Sequence, residues 1–156
     1  NRLELVEYGY KKTGVLPILL DFSKYETPPD QAVLDRFDDD RVNILFVGRV
    51  TPNKKQEDLI KAFYCYKRFV NPKARLLLVG KYRDDEAYVK LLRELLAELQ
   101  VEDVYLIGHV TQAELNAFYK LADLLLCLSE HEGFCVPAVE SMYFRLPHTP
   151  LRLALE

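Results

Sequence analysis

Four short apolar runs recur from residue 43 onward, and three of them end in glycine. They are Asn43-Ile44-Leu45-Phe46-Val47-Gly48, Ala74-Arg75-Leu76-Leu77-Leu78-Val79-Gly80, Val104-Tyr105-Leu106-Ile107-Gly108 and Leu124-Leu125-Leu126-Cys127-Leu128. Apolar runs of this length without alternation predict strands covered on both faces. The stretches between them carry helical periodicity. Residues 56–70 set Leu59, Phe63, Tyr66 and Val70 on one face, and residues 86–100 do the same with Tyr88, Leu92, Leu95, Leu96 and Leu99. Thr111 and Glu114 have capping-box spacing ahead of Leu115, Phe118 and Ala122. A last helix starts near Val136, with Pro137 in its first turn. Strands alternating with helices imply the α/β class: a Rossmann-like parallel sheet with flanking helices and right-handed crossovers. Such sheets bind ligands at the carboxyl ends of their strands.

The flanks are less regular. Residues 1–11 read as a short helix with Leu3, Val6 and Tyr10 on one face. Residues 15–20 (VLPILL) read as a strand, placed at an edge or strand end by Pro17. Residues 23–41, with Pro28-Pro29 and an Asp38–Asp40 run, read as a connecting loop around a short helix. The expected organisation is therefore 1–41 as an N-terminal helix, strand and connector, and 42–146 as an incomplete ligand-binding domain. Residues 147–156 are expected to be an irregular tail, with prolines at 147 and 150 and non-native residues at a truncated end. A missing pair of final strands would leave 124–128 as a sheet edge, which predicts self-association or pairing with that tail.

Composition excludes some partners. The net charge is −3, so no electrostatic argument points to nucleic acid or to an anionic membrane. Cys65, Cys127 and Cys135 are too widely spaced for a disulfide framework or a zinc site, and Cys65 and Cys127 read as reduced core residues. No apolar run approaches a membrane span and no signal peptide is evident. The expectation is a cytoplasmic protein, with attachment to the inner membrane surface left open.

Two clusters carry the chemistry. In Gly48-Arg49-Val50-Thr51-Pro52-Asn53-Lys54-Lys55, Gly48 lets backbone approach a ligand, while Arg49 and Lys54 can converge on one anion. An isolated Arg-x4-Lys is more often a solvated loop. The cluster lacks the spacing of a phosphate-binding P-loop or a dinucleotide fingerprint. In Ser129-Glu130-His131-Glu132-Gly133-Phe134-Cys135-Val136-Pro137-Ala138-Val139-Glu140, two acids flank a strand–turn–helix junction that offers free N–H groups and the positive end of a helix dipole. Carboxylates bind hydroxyls and amides bind phosphate, so the junction suits a sugar joined to a diphosphate. Each glutamate alone reads as a surface group, and His109 and His131 as structural or exposed. Neither histidine has a partner at metal-ligand spacing.

From about Asn43 to Arg145 the chain resembles the C-terminal, donor-binding half of retaining GT-B glycosyltransferases of family four (group 1). The carriers are Val47-Gly48-Arg49 with Lys54, the Gly108-His109-Val110 turn, and Glu132-x7-Glu140. The Val15–Asp21 segment also looks like the opening of that domain. The resemblance implies that Arg49 and Lys54 hold the donor diphosphate and stabilise the departing nucleoside diphosphate. It implies that Glu132 faces the sugar hydroxyls, and that the amides of Gly133, Phe134 and Cys135, at the start of the helix opened by Val136, contact sugar and phosphate. Glu140 would bind the ribose, and Gly108, His109 and Val110 would border the base. Basic side chains and the helix end would replace a metal, and no cofactor is implied beyond the nucleotide-sugar co-substrate. Cys135 and Lys55 depart from the pattern, each standing where glycine is commoner; Lys55 is expected to add charge near the phosphates. The acceptor, a glycan, lipid or small molecule, would bind through an N-terminal domain not present in this sequence, so the fragment alone is not expected to turn over. The alternatives are an epimerase or phosphorylase of the same fold, and a flavodoxin-like or receiver-like interaction module.

Overall fold

The computed structural model describes residues 2–14, 19–130, 132 and 134–149. Among them, β1 (Asn43–Val47), β2 (Arg75–Val79), β3 (Val104–Gly108) and β4 (Leu124–Leu125) form a parallel sheet in the order β3-β2-β1-β4. Helices α3 (Gln56–Phe69), α4 (Ala87–Leu99) and α5 (Gln112–Leu121) make the crossovers, and α6 (Val136–Tyr143) follows β4. The sheet grows outward from β1 through β2 to β3, then returns to the other side of β1. The topological switch point therefore lies between β1 and β4, where open α/β sheets form a crevice.

β1 and β2 are buried on both sides, as parallel strands require, whereas all five residues of β3, at the sheet edge, are only half-buried. Leu45, Leu77 and Val79 pack with Phe37, Phe118, Tyr119 and Ala138 on the face carrying α2 (Gln31–Phe37), α5 and α6. Ile44, Phe46, Leu76 and Leu78 pack with Leu59, Ile60, Phe63, Val89 and Leu92 on the α3 and α4 face. At the amino end of the sheet, polar groups close the core. Asn43 donates from its side chain to the carbonyls of Phe37 and Leu121 and from its backbone to Asp123. Arg75, 4% exposed, pairs with Asp39 and lies over the Phe37 ring.

Several expectations change. Residues 23–41 are part of the packed body rather than a connector. Ser23–Glu26 form a 3-10 turn that buries Tyr25, and α2 is capped by the Asp30 side chain and buries Phe37. The stripe on α3 stops before Val70, which lies past the helix end and is 69% exposed. Cys65 is exposed, because it falls on the outer face two residues beyond Phe63. The N-terminal helix exists as α1 (Arg2–Glu7), yet Leu3, Val6 and Tyr10 are exposed. The strand expected at 15–20 falls largely outside the described residues, and Leu19 is exposed.

The β4 ladder is shorter than its apolar run, and its outer edge is paired with the tail. Leu125 N–H donates to Pro147 O (2.8 Å), Thr149 N–H donates to Leu125 O (3.0 Å), and a parallel bridge links Leu125 to His148. Residues 150–156 lie outside the described residues.

The strand ends meet at glycine. A Cβ on Gly80 would stand 1.8 Å from the Gly48 carbonyl oxygen, so the exits of β1 and β2 touch as bare backbone. Gly48 N–H donates to Val79 O, and Gly80 N–H to Gly108 O. Gly80→Ala should cost more than about 3 kcal/mol in urea unfolding, whereas Gly14→Ala, with no atom within 4 Å of the added carbon, should stay within about 0.5 kcal/mol.

Candidate functional site

The loop after β1 and the loop after β4 meet across the switch point. The first leaves Gly48, buries Val50, and makes a 3-10 turn over Pro52–Lys54. Lys55 then adopts a left-handed conformation (φ 54°) to start α3. Buried Gln56 donates from Nε2 to the Arg49 carbonyl (2.8 Å), fixing the loop to the helix start. The second loop is tied to the first by Glu130 N–H donating to Asn53 O (3.0 Å). Two ion pairs follow: Lys54 Nζ to Glu132 Oε1 at 2.5 Å, and Lys55 Nζ to Glu130 Oε1 at 2.7 Å. Lys54 and Glu132, 78 residues apart in the sequence, therefore form one unit. Lys55 does not add free charge to the site as expected, because Glu130 neutralises it. That contact is also the main reason its ammonium titrates above the usual lysine range.

Arg49 is exposed, and its guanidinium has no partner among the described residues. It stands at the rim of a cavity of about 360 Å³ with Gly48, Lys81, His109, Val110 and Gln112. The β3 exit supplies the far wall. Gly108 turns the chain at φ 87°, and Thr111 then caps α5, its hydroxyl accepting from Glu114 N–H while the Glu114 carboxylate accepts from Thr111 N–H. Arg49, Gly48, His109 and Val110 are thus gathered around one space. Lys81 and Gln112 lie there too, at strand and helix ends that the sequence pattern marks only as loop.

The junction into α6 is built differently from expectation. Phe134 is exposed; Gly133 and His131 lie outside the described residues. Cys135 takes the left-handed conformation (φ 52°) that favours glycine, and its side chain turns into the core. It forms no side-chain cap, so the α6 first turn has no capping side chain on its amides. It packs in the same core cluster as Cys127, and the neighbouring thiol lowers Cys135 to about 7 while Cys127 is raised.

Glu140 departs most from its expected role. It is 4% exposed, and both oxygens are engaged inside the protein. Oε1 accepts from Lys24 Nζ (3.1 Å) and Tyr25 OH (2.8 Å), and Oε2 accepts from Tyr119 OH (2.7 Å). Burial and the adjoining carboxylate push both tyrosine hydroxyls up. For Lys24, burial acts downward, but the bonds to Tyr25 and Glu140 prevail and raise it. In this arrangement Glu140 anchors the 23–26 turn and α5 to α6, with two donors on Oε1 and one on Oε2. Among the described residues, no group of three or more His, Cys, Asp or Glu could hold a metal ion.

The family model for glycosyl transferases group 1 matches residues 31–148. The chain belongs to the group 1 glycosyl transferases. It is 32% identical over 121 residues to a trehalose synthase of Thermococcus litoralis, covering 73% of this chain and 29% of that protein. It is 36% identical over 101 residues to a GDP-mannose:cellobiosyl-diphosphopolyprenol alpha-mannosyltransferase of Xanthomonas oryzae, covering 64% of this chain and 26% of that one. Anabaena HepE, solved in complex with UDP and glucose, superposes with a TM-score of 0.77 at 22% identity, over 94% of this chain and 40% of the other. The group 1 chain thus has the donor-half architecture of GT-B enzymes and spans under a third of these two curated relatives.

Two outcomes follow. Glu140→Ala should cost about 2–4 kcal/mol in urea unfolding by stranding the Tyr25 and Tyr119 hydroxyls, and Glu140→Gln should cost less. The low value of Cys135 makes its contribution to stability fully present above the unfolded thiol value of about 8.5 and lost as pH falls through about 7. Cys127→Ala should move the thiolate absorbance midpoint of Cys135 upward; an unmoved midpoint would assign the low value to another cause.

Proposed function

We propose that this chain is the nucleotide-sugar-binding half of a retaining glycosyltransferase that moves a sugar from a nucleoside diphosphate to an acceptor hydroxyl. The observation that carries the reading is the Lys54–Glu132 pair at the switch point, on the same β1 exit loop as Arg49, which has no partner among the described residues. A lysine ammonium has three donors and a carboxylate two oxygens. Lys54 can hold Glu132 and a phosphate oxygen at once, while the second Glu132 oxygen accepts from a sugar hydroxyl. One ion pair thereby bridges the two halves of a sugar phosphate. Arg49 adds a planar fork on the diphosphate, and the amides at the start of α6 contribute the positive end of a short helix.

In the reaction, negative charge grows on the departing nucleoside diphosphate as the sugar–oxygen bond breaks. Arg49 and Lys54 stabilise that charge, and Glu132 holds the sugar in place. The side chains fill the charge-stabilising role that a metal would otherwise fill. His109 and Val110, across the cavity, border the nucleoside. UDP in the HepE structure and GDP-mannose in the name of the Xanthomonas enzyme support a nucleotide-sugar donor. The acceptor, a glycan, lipid or small molecule, would bind through other parts of a longer polypeptide. Three free cysteines fit a reducing compartment and support a cytoplasmic location. No helix among the described residues is long and apolar enough to cross a membrane.

Calorimetry with UDP and GDP tests the reading. At least one should bind, and Arg49→Ala should weaken it by about tenfold or more with an unchanged melting temperature. Lys54→Ala should do the same. Absence of binding by both nucleotides, or full affinity in both variants, would overturn the assignment.

A further inference from the structure

Lys81 has no role in the reading above, yet it stands in the same cavity. Its position follows from register. β1 and β2 pair with Val47 opposite Val79, so two residues further on Arg49 stands opposite Lys81, on the α5 side of the sheet. Val50 N–H donates to the Lys81 carbonyl (3.2 Å), and the backbone contact between Gly80 and Gly48 fixes the same crossing. The Lys81 ammonium has no partner among the described residues. Val47, Val79 and Leu115 make the cavity wall apolar, and no carboxylate lines it.

The order of groups along the sheet rim decides what Lys81 meets. Glu132 follows β4, Arg49 and Lys54 follow β1, Lys81 follows β2, and His109 and Val110 follow β3. On the donor-site reading, a diphosphate held at the β1 exit places its nucleoside in the cavity that crosses β2 toward β3. The α6 amides that suit phosphate lie at the opposite end of that order. We propose that Lys81 reads the nucleobase, selecting one with a carbonyl oxygen at its outer edge (uracil or guanine) over cytosine or adenine. Lysine only donates, and the exocyclic amine of cytosine or adenine is itself a donor at that edge. This inference rests on the donor-site reading.

The test is calorimetry of UDP, CDP, GDP and ADP on the wild-type chain and on Lys81→Met. UDP and CDP differ only at the edge in question. The wild type should favour UDP over CDP, or GDP over ADP, by about tenfold, the loss expected for one charge-assisted hydrogen bond. Lys81→Met should shrink that ratio to within about threefold and leave CDP and ADP within about twofold of their wild-type affinities. An equal loss for all four nucleotides would make Lys81 a phosphate contact and overturn the proposal. An unchanged ratio in Lys81→Met, or no preference in the wild type, would overturn it while leaving the donor site standing. A wild type that binds none of the four would remove the donor site, and this proposal with it.

Discussion

The touching exits of β1 and β2 govern the rest of the site. At Gly80 the backbone lies so close to the Gly48 carbonyl that no side chain fits between them. This contact sets the height at which both chains leave the sheet, and therefore where Arg49 and Lys81 begin. It also lets Val50 descend into the core directly after Arg49, which turns the loop toward α3. Glycine carries no cost of a lost side-chain contact here, only the cost of ordering a flexible residue, which the surrounding buried strands offset.

Charge is distributed unevenly along the rim. At the β1/β4 end, Lys54 and Lys55 are matched by Glu132 and Glu130. At the β1/β2 end, Arg49 and Lys81 are unmatched among the described residues. Pairs this close to solvent contribute little to stability. Their effect is positional: they hold the late acidic loop against the early basic one.

The strands and helices were legible because burial on two faces leaves an unbroken apolar run, and burial on one face leaves a 3.6-residue stripe. The junctions of Gly48, Gly80 and Gly108 were legible for the same reason, since each glycine closes a run. Lys54 and Glu132 could be singled out by type and spacing, but their pairing could not, because it depends on the return of the chain to the far side of β1. Lys81 was invisible: a lysine after a strand looks like any solvated loop residue until register sets it opposite Arg49. The segment from 23 to 37 misled for a related reason. Its prolines and aspartates look like a loop, yet Tyr25 and Phe37 are its buried anchors, and two aromatic residues in a polar stretch leave no periodicity to detect.

The two glutamates of the late motif show how spacing and role part company. Glu132 precedes α6 and faces the rim, where water or a ligand can satisfy it. Glu140 sits one turn inside α6, a helix that also buries Ala138 and Ser141 on another side. A buried carboxylate must find donors within the protein or be destabilised by desolvation. Tyr119 comes from α5, and Lys24 and Tyr25 come from a turn more than a hundred residues earlier. Aromatic contacts of Tyr25 with Tyr143 and Phe144 then close the surface over it. Glu140 therefore works as an anchor: its three donors tie α6 to α5 and to the 23–26 turn.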